Sequence, residues 1–195
     1  IGTATTMQTM AEARGLALPG SALMPASSPD LLDCARQAGG RAVEMAGCEA
    51  MRPSRIVTME SFENAILVHA AISGSSNCLL HLPAIAHELG IEITGDTFDR
   101  LHRGALYLLD VRPAGRWPAE CFYYAGGVPA VMEQIRDRLH LDVMTVTGKT
   151  LGENLEKLRQ DGFYERCAGR LAEFNARYGC SLTGQGIIRP AHAPL

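Results

Sequence analysis

The 195-residue sequence predicts a helix-rich α/β domain with an incomplete sheet. Helix-start signals recur along the chain, each followed by apolar residues at helical spacing. Only two stretches have strand character, ALYLLDV (105–111) and VMTVTG (143–148), too few to complete a sheet. Apolar residues make up 47% of the chain and charged residues 20%, the balance of one ordinary globular domain with its own core.

In chain order, residues 4–14 fit a helix ended by Gly15. The Pro/Gly/Ser-rich stretch LALPGSALMPASSP (16–29) is too apolar for a solvated linker and is expected to lie pressed against the protein. Ser28 followed by Pro29 reads as an N-cap with a first-turn proline. The helix it opens should run to about Met45, burying Leu31, Leu32, Ala35, Ala38 and Ala42. A start signal at 58–61 precedes Phe62, Ile66 and Ala70, spaced for a helix. Asn77 can cap the next helix, CLLHLPAIAHELG, which Pro83 disturbs and Gly90 stops. Asp96 caps the short DTFDRL turn. After the first strand-like run, GRWPAECFYYAGG is expected as a loop, and GGVPAVMEQIRDRL as a helix ending at His140. Following VMTVTG, Thr150 and Glu153 stand at capping-box spacing. One or two further helices fill 151–178, ahead of a Gly-rich tail.

Charge and composition exclude several classes. The net charge is −3 without basic runs, which argues against a nucleic-acid partner. No apolar stretch approaches the roughly 18 residues that span a bilayer, so no membrane association and a cytoplasmic setting are expected. The six cysteines, Cys34, Cys48, Cys78, Cys121, Cys167 and Cys180, are all more than ten residues apart. That spacing nucleates no zinc or iron–sulfur site, and most are read as small, reduced, buried side chains.

Polar groups at helix starts are the first candidates for chemistry. Gly74, Ser75, Ser76 and Asn77 offer amides, two hydroxyls and a carboxamide able to hold a carboxylate or a sugar hydroxyl. They could equally be simple caps of the next helix. GTATT (2–6), containing Gly2, Thr3 and Thr5, poses the same choice. His81 and His87 lie about 600° apart around a helix, so only His81 and Glu88 could share a face; this is not a metal-binding H-E-x-x-H pair. AGGVP (125–129) and TGKT (147–150) lack the spacing of a phosphate loop, and a tight turn into a capped helix explains TGKT equally well. No complete active site emerges from these residues alone.

Four stretches, in order, resemble the dihydroxy-acid and sugar-acid dehydratases. IGTATTMQTMAEARGLALPGSALMPA is similar to that family's G-T-A-S-T-M…E-A-L-G-L-x-L-P-G block. FENAILVHAAISGSSNCLLHLPAIAHELGI resembles F-E-N-A-I…G-G-S-T-N…L-H-L-x-A-I-A, with Ser73 replacing the first glycine and Ser76 the threonine. AGGVPAVMEQI and DVMTVTGKTLGENL match two further blocks, and the resemblance runs across residues 1–195. GTATTM and ECFYYAGG look closer to the sugar-acid (aldonate) branch than to the branch serving branched-chain amino-acid synthesis.

The resemblance implies the latter part of an N-terminal α/β dehydratase domain. The complete protein would be a hydro-lyase converting a 2,3-dihydroxy carboxylate, such as an aldonate, to a 2-keto-3-deoxy acid; the alternative is the dihydroxy-acid dehydratase of branched-chain amino-acid synthesis. It also implies an iron–sulfur cluster, 2Fe-2S or 4Fe-4S, and Mg2+, with every ligand outside residues 1–195. The third cluster cysteine would lie three positions before Ile1, and the serine base in a later C-terminal domain. Gly2, Thr3 and Thr5 would line the cluster, and Ser75, Ser76 and Asn77 would border the substrate cavity. A homo-oligomer, dimer or tetramer, is expected of the full-length protein, whereas residues 1–195 alone are expected to be inactive, colourless and prone to associate. From another class, the chain could be a non-catalytic helical interaction module. The coding sequence flanking Ile1 and Leu195 discriminates the two.

Overall fold

The computed structural model describes residues 1–195. It contains eleven α-helices and two single-turn 3-10 helices: α1 (Thr3–Ala13), α2 (Leu31–Ala46), α3 (Pro53–Ile56), α4 (Met59–Ala71), α5 (Cys78–His87), α6 (Gly95–His102), α7 (Ala119–Tyr124), α8 (Gly127–Gln134), α9 (Leu151–Gln160), α10 (Phe163–Tyr178) and α11 (Gly184–Ile187), with 3-10 turns at Glu49–Met51 and Arg136–Arg138. α1 packs along α4 at the centre, with α5, α6 and α8 around this pair and α7, α9, α10 and α11 forming a second group. One cluster of 33 buried apolar residues joins both groups.

α4 is the hub because it is apolar nearly all round, as a helix buried on several sides must be. Phe62, Ala65, Ile66, Leu67, Val68 and Ala71 are all buried. Thr58 and Ser61 close its capping box, the start expected from the sequence. Thr150 and Glu153 do the same for α9, with the Thr150 amide donating to Glu153 Oε2 at 2.8 Å. Gly15 ends α1 at φ +76°, where an added Cβ would stand 2.8 Å from the Thr145 side chain. The 16–29 connector does lie against the protein, its Gly20 and Ala22 amides donating to the buried Glu12 carboxylate.

The chain is helix-rich, but the expected sheet does not form. The 105–111 run is extended without a neighbouring strand of its own length. Its backbone groups go instead to the end of α4, through Leu108 N–H to Ala71 O, and to the tail, through Asp110 N–H to Ile187 O. Only single bridges result, at Leu109–Ile188 and Val111–Trp117. In the 143–148 run, Gly148 turns the chain at φ +76° and one bridge, Met144–Thr150, forms before α9 begins.

Several boundaries also differ. α2 starts at Leu31 with Asp30 at its N-cap, and the Ser28 hydroxyl only accepts from the Asp30 amide at 3.3 Å. None of its residues is buried; Leu32 and Val43 are 74% and 77% exposed. Its apolar stripe is real, but α2 packs chiefly on the Glu49–Met51 turn. Thr94, with Thr97, caps α6 in place of Asp96. Residues 119–124, expected as loop, form α7, and the 127–140 helix breaks at Ile135. Two helices, α9 and α10, fill 151–178, and the tail carries α11. Of the six cysteines, three are buried, Cys34 and Cys180 are half-buried and Cys48 is exposed.

A candidate functional site where two helix starts meet

The packing of α1 on α4 and α5 brings together the two helix starts that the sequence singled out. Asn77 Nδ2 donates to Thr3 Oγ1 at 2.7 Å and to Ser75 Oγ at 3.1 Å. Thr3 Oγ1 and Ser75 Oγ are 3.0 Å apart. The Ser75 amide donates to Thr6 Oγ1 at 3.1 Å, and the nitrogen of Ile1 donates to Ser73 O at 3.1 Å. Two stretches some 69 to 74 positions apart thus form one hydrogen-bonded cluster.

Counting lone pairs fixes the direction of these bonds. Ser75 Oγ accepts from the Asn77 amide at 3.3 Å and from Asn77 Nδ2, so its own hydrogen goes to Thr3 Oγ1. Thr3 Oγ1 therefore accepts twice, and its O–H hydrogen remains to donate outward. It lies beside the first-turn amides of α1, which have no acceptor within their helix. The Thr3, Ser75 and Asn77 side chains offer donors and a carboxamide oxygen but no carboxylate or cation. Such a wall can hold a polar or anionic group by hydrogen bonds; it supplies no acid–base chemistry.

Asn77 stands at the N-cap of α5 but makes no side-chain cap bond. The expectation that it caps this helix is corrected: its backbone is already helical, φ −59° and ψ −23°, which turns the carboxamide toward Thr3. Ser75 is held on both sides, whereas the Ser76 and Thr5 hydroxyls take no part in the cluster. Gly2 is exposed at the start of α1 and its carbonyl accepts from Thr6 Oγ1 at 2.8 Å.

Three further residues hold the cluster together: Thr6 and Gly74, which lie in the GTATT and GSSN stretches, and His69, which was not singled out from the sequence. His69, buried in the last turn of α4, donates from Nε2 to Ser75 O at 3.0 Å. Burial holds its imidazole below the ordinary histidine range, against the Ser75 bond that favours its charged form. Thr6 bridges Gly2 and Ser75. Gly74 is required sterically, since a Cβ there would meet His69 Cδ2 at 2.4 Å and Thr6 Cγ2 at 3.0 Å. The signal for His69 was present: a histidine in an otherwise apolar helix, one turn ahead of GSSN. Ser73 adopts φ +49°, a left-handed conformation that favours glycine, which accounts for the glycine usual at this position.

The other sequence candidates lie elsewhere. His81, His87 and Glu88 are exposed on α5. TGKT is a turn into α9: Asn154 donates to Thr145 Oγ1 at 2.7 Å and accepts from Thr147 Oγ1 at 2.9 Å. A groove of about 830 Å³ runs beneath α2 past Leu18, Cys34, Met45 and Val146 and does not reach Thr3 or Ser75. No three His, Cys, Asp or Glu side chains converge in a metal-binding group. The residues of this chain therefore do not by themselves fit an iron–sulfur cluster or Mg2+. No helix is long and apolar enough to cross a membrane.

Comparison with known proteins then places the chain. A family model described as Dihydroxy-acid/6-phosphogluconate dehydratase N-terminal matches residues 1–154. The chain belongs to this dehydratase family. The matched range contains the whole Thr3–Ser75–Asn77 cluster and ends within α9, leaving residues 155–195 beyond it. Among curated relatives, dihydroxy-acid dehydratase 1 of Methanosarcina acetivorans is 47% identical over 156 residues, 80% of this chain and 28% of that protein. The dihydroxy-acid dehydratase of Caldicellulosiruptor bescii is 44% identical over 156 residues, 79% of this chain and 28% of the relative. That of Mycobacterium ulcerans is 45% identical over 158 residues, 80% and 28% respectively. The chain thus spans little more than a quarter of these relatives.

Proposed function

We propose that residues 1–195 form part of a hydro-lyase that removes water from a 2,3-dihydroxy carboxylate, leaving a 2-keto-3-deoxy acid. Membership of the dehydratase family over residues 1–154 carries this reading. For the substrate, the relatives' names favour the dihydroxy acid of branched-chain amino-acid synthesis over a sugar acid, reversing the preference drawn from GTATTM and ECFYYAGG. The iron–sulfur cluster, 2Fe-2S or 4Fe-4S, and the Mg2+ implied by the family resemblance would be held by residues outside this chain. The part assigned to this chain is the wall of the site. Thr3 donates an O–H, Asn77 keeps Thr3 and Ser75 in place, and the α1 amides favour negative charge nearby. A homo-oligomeric, cytoplasmic enzyme is the corresponding proposal for the whole protein.

The test is made on the full-length protein that contains this chain, assayed against short branched dihydroxy acids and a panel of aldonates. Faster turnover of the branched dihydroxy acid is expected. Thr3→Val and Asn77→Ala should each lower kcat/KM by about fivefold or more, the worth of a hydrogen bond of about 1 kcal/mol. Unchanged turnover and unchanged iron and sulfide content in both variants would overturn the assignment of the wall. Absence of dehydration with every substrate would leave the non-catalytic module as the better reading.

A further inference from the structure

His69 does not act on Ser75 alone. Its Nδ1 lies 3.3 Å from His102 Nε2 on α6. The ring planes are 10° from parallel with centroids 5.2 Å apart. The buried Phe98 ring meets both imidazoles nearly at right angles, 76° to His69 and 78° to His102, and packs beside both.

The chemistry of the contacts fixes the protons. A carbonyl only accepts, so His69 Nε2 carries hydrogen toward Ser75 O. In a neutral ring Nδ1 is then bare and must accept, which makes His102 Nε2 the donor. The bonds therefore run in one direction, from half-buried His102 through buried His69 to the Ser75 carbonyl.

We propose that His69 and His102 form a two-ring proton relay that positions the Ser75 end of the candidate site. A proton from solvent adds to the bare Nδ1 of His102, and the Nε2 proton of His102 passes to His69 Nδ1. One proton enters, one N–H bond forms on each ring and one breaks on His102, and the single positive charge comes to rest on His69. Its Nε2 then grips Ser75 O as a charged donor, which strengthens that bond. His69 is a positioning residue, and His102 is its proton entry.

The surroundings suit a single shared charge. On α6, Asp99 favours a charged His102 but is paired with Arg103 at 2.7 Å. On α4, Glu63 is engaged by Arg100 and His140. The first turn of α1 has no acidic residue. Burial, and next His69 itself, hold His102 low, whereas the backbone of Ile66 favours its charged form. The relay therefore loads on acidification below the ordinary histidine value of 6.5.

The inference rests on the reading that Ser75 borders the site, but the relay is tested without turnover. In the chain labelled with 15N-histidine, imidazole nitrogen spectra between pH 5 and 8 are expected to show both rings as Nε2–H tautomers at pH 8 and moving together through one transition. His102→Gln keeps a donor for His69 Nδ1 but cannot pass a proton. His69 should then keep its tautomer while its midpoint moves by about half a pH unit or more, the scale of one neutral hydrogen bond. An Nδ1–H tautomer on wild-type His69, or the same His69 midpoint in both proteins, would overturn the relay. The wild-type tautomer decides even if His102→Gln fails to fold. A relay confirmed here alongside normal turnover of full-length Thr3→Val would place the failure in the reading of the site.

Discussion

Glu12 should make the stability of this chain fall as pH rises toward neutrality. Its carboxylate is 3% exposed and accepts from the Gly20 amide at 2.7 Å and the Ala22 amide at 2.8 Å. Burial outweighs these two bonds and pushes the carboxyl up from 4.5 to about 7. Unfolded, Glu12 loses its proton near 4.5; folded, it keeps it until about 7. Between these values the native state binds more protons, so stability is full below 4.5 and is lost as pH rises through 7. At about 1.4 kcal/mol per pH unit, the change is worth about 3 kcal/mol. Glu12→Gln removes the titration while keeping the shape. Both a neutral carboxyl and a carboxamide satisfy only one of the two amides well, so that mismatch of about 1–3 kcal/mol is similar in both proteins at low pH. Urea denaturation at pH 5, 6, 7 and 8 should therefore show the variant gaining about 3 kcal/mol relative to wild type across the range. The opposing contribution of His69 and His102, which are held low and lose stability on acidification, cancels in that difference. Parallel pH profiles for the two proteins would refute the reasoning.

Arg14 stands where the similar family block has leucine. It is 4% exposed, with Nη1 unpartnered, Nε bonded to Met10 O at 3.2 Å and the guanidinium 5.3 Å from the Phe62 ring centroid. Arg14→Leu should raise stability by about 1–2 kcal/mol, read as a higher Tm; a lower Tm would show that the cation–ring contact and the Met10 bond outweigh burial. Gly74→Ala should destabilise by about 1–3 kcal/mol by overpacking against buried His69, and denaturant midpoints equal to wild type would contradict the steric account. Asn154→Leu should destabilise by about 1–3 kcal/mol by stripping Thr145 and Thr147 of their shared partner, checked by the same denaturation.

What the sequence determined by itself is local. The Thr58 and Thr150 starts, the Gly15 stop and the apolar spacing of α4 depend on neighbours within one or two turns, and each forms where that chemistry places it. The four ordered blocks also carried the family. Burial of α2 was not legible, because an apolar stripe shows that a helix can be covered but not what lies against it. The 105–111 run has the composition of a strand, yet a strand needs a partner, and its backbone bonds go to a helix end and the tail. At the site, GTATT and GSSN were visible as two separate helix starts, each with capping as its simplest explanation. Only the packing of α1 against α4 and α5 brought Thr3 within reach of Asn77 and Ser75. Packing of α6 on α4 likewise placed His102 beside His69, 33 residues away, a contact that no local rule specifies.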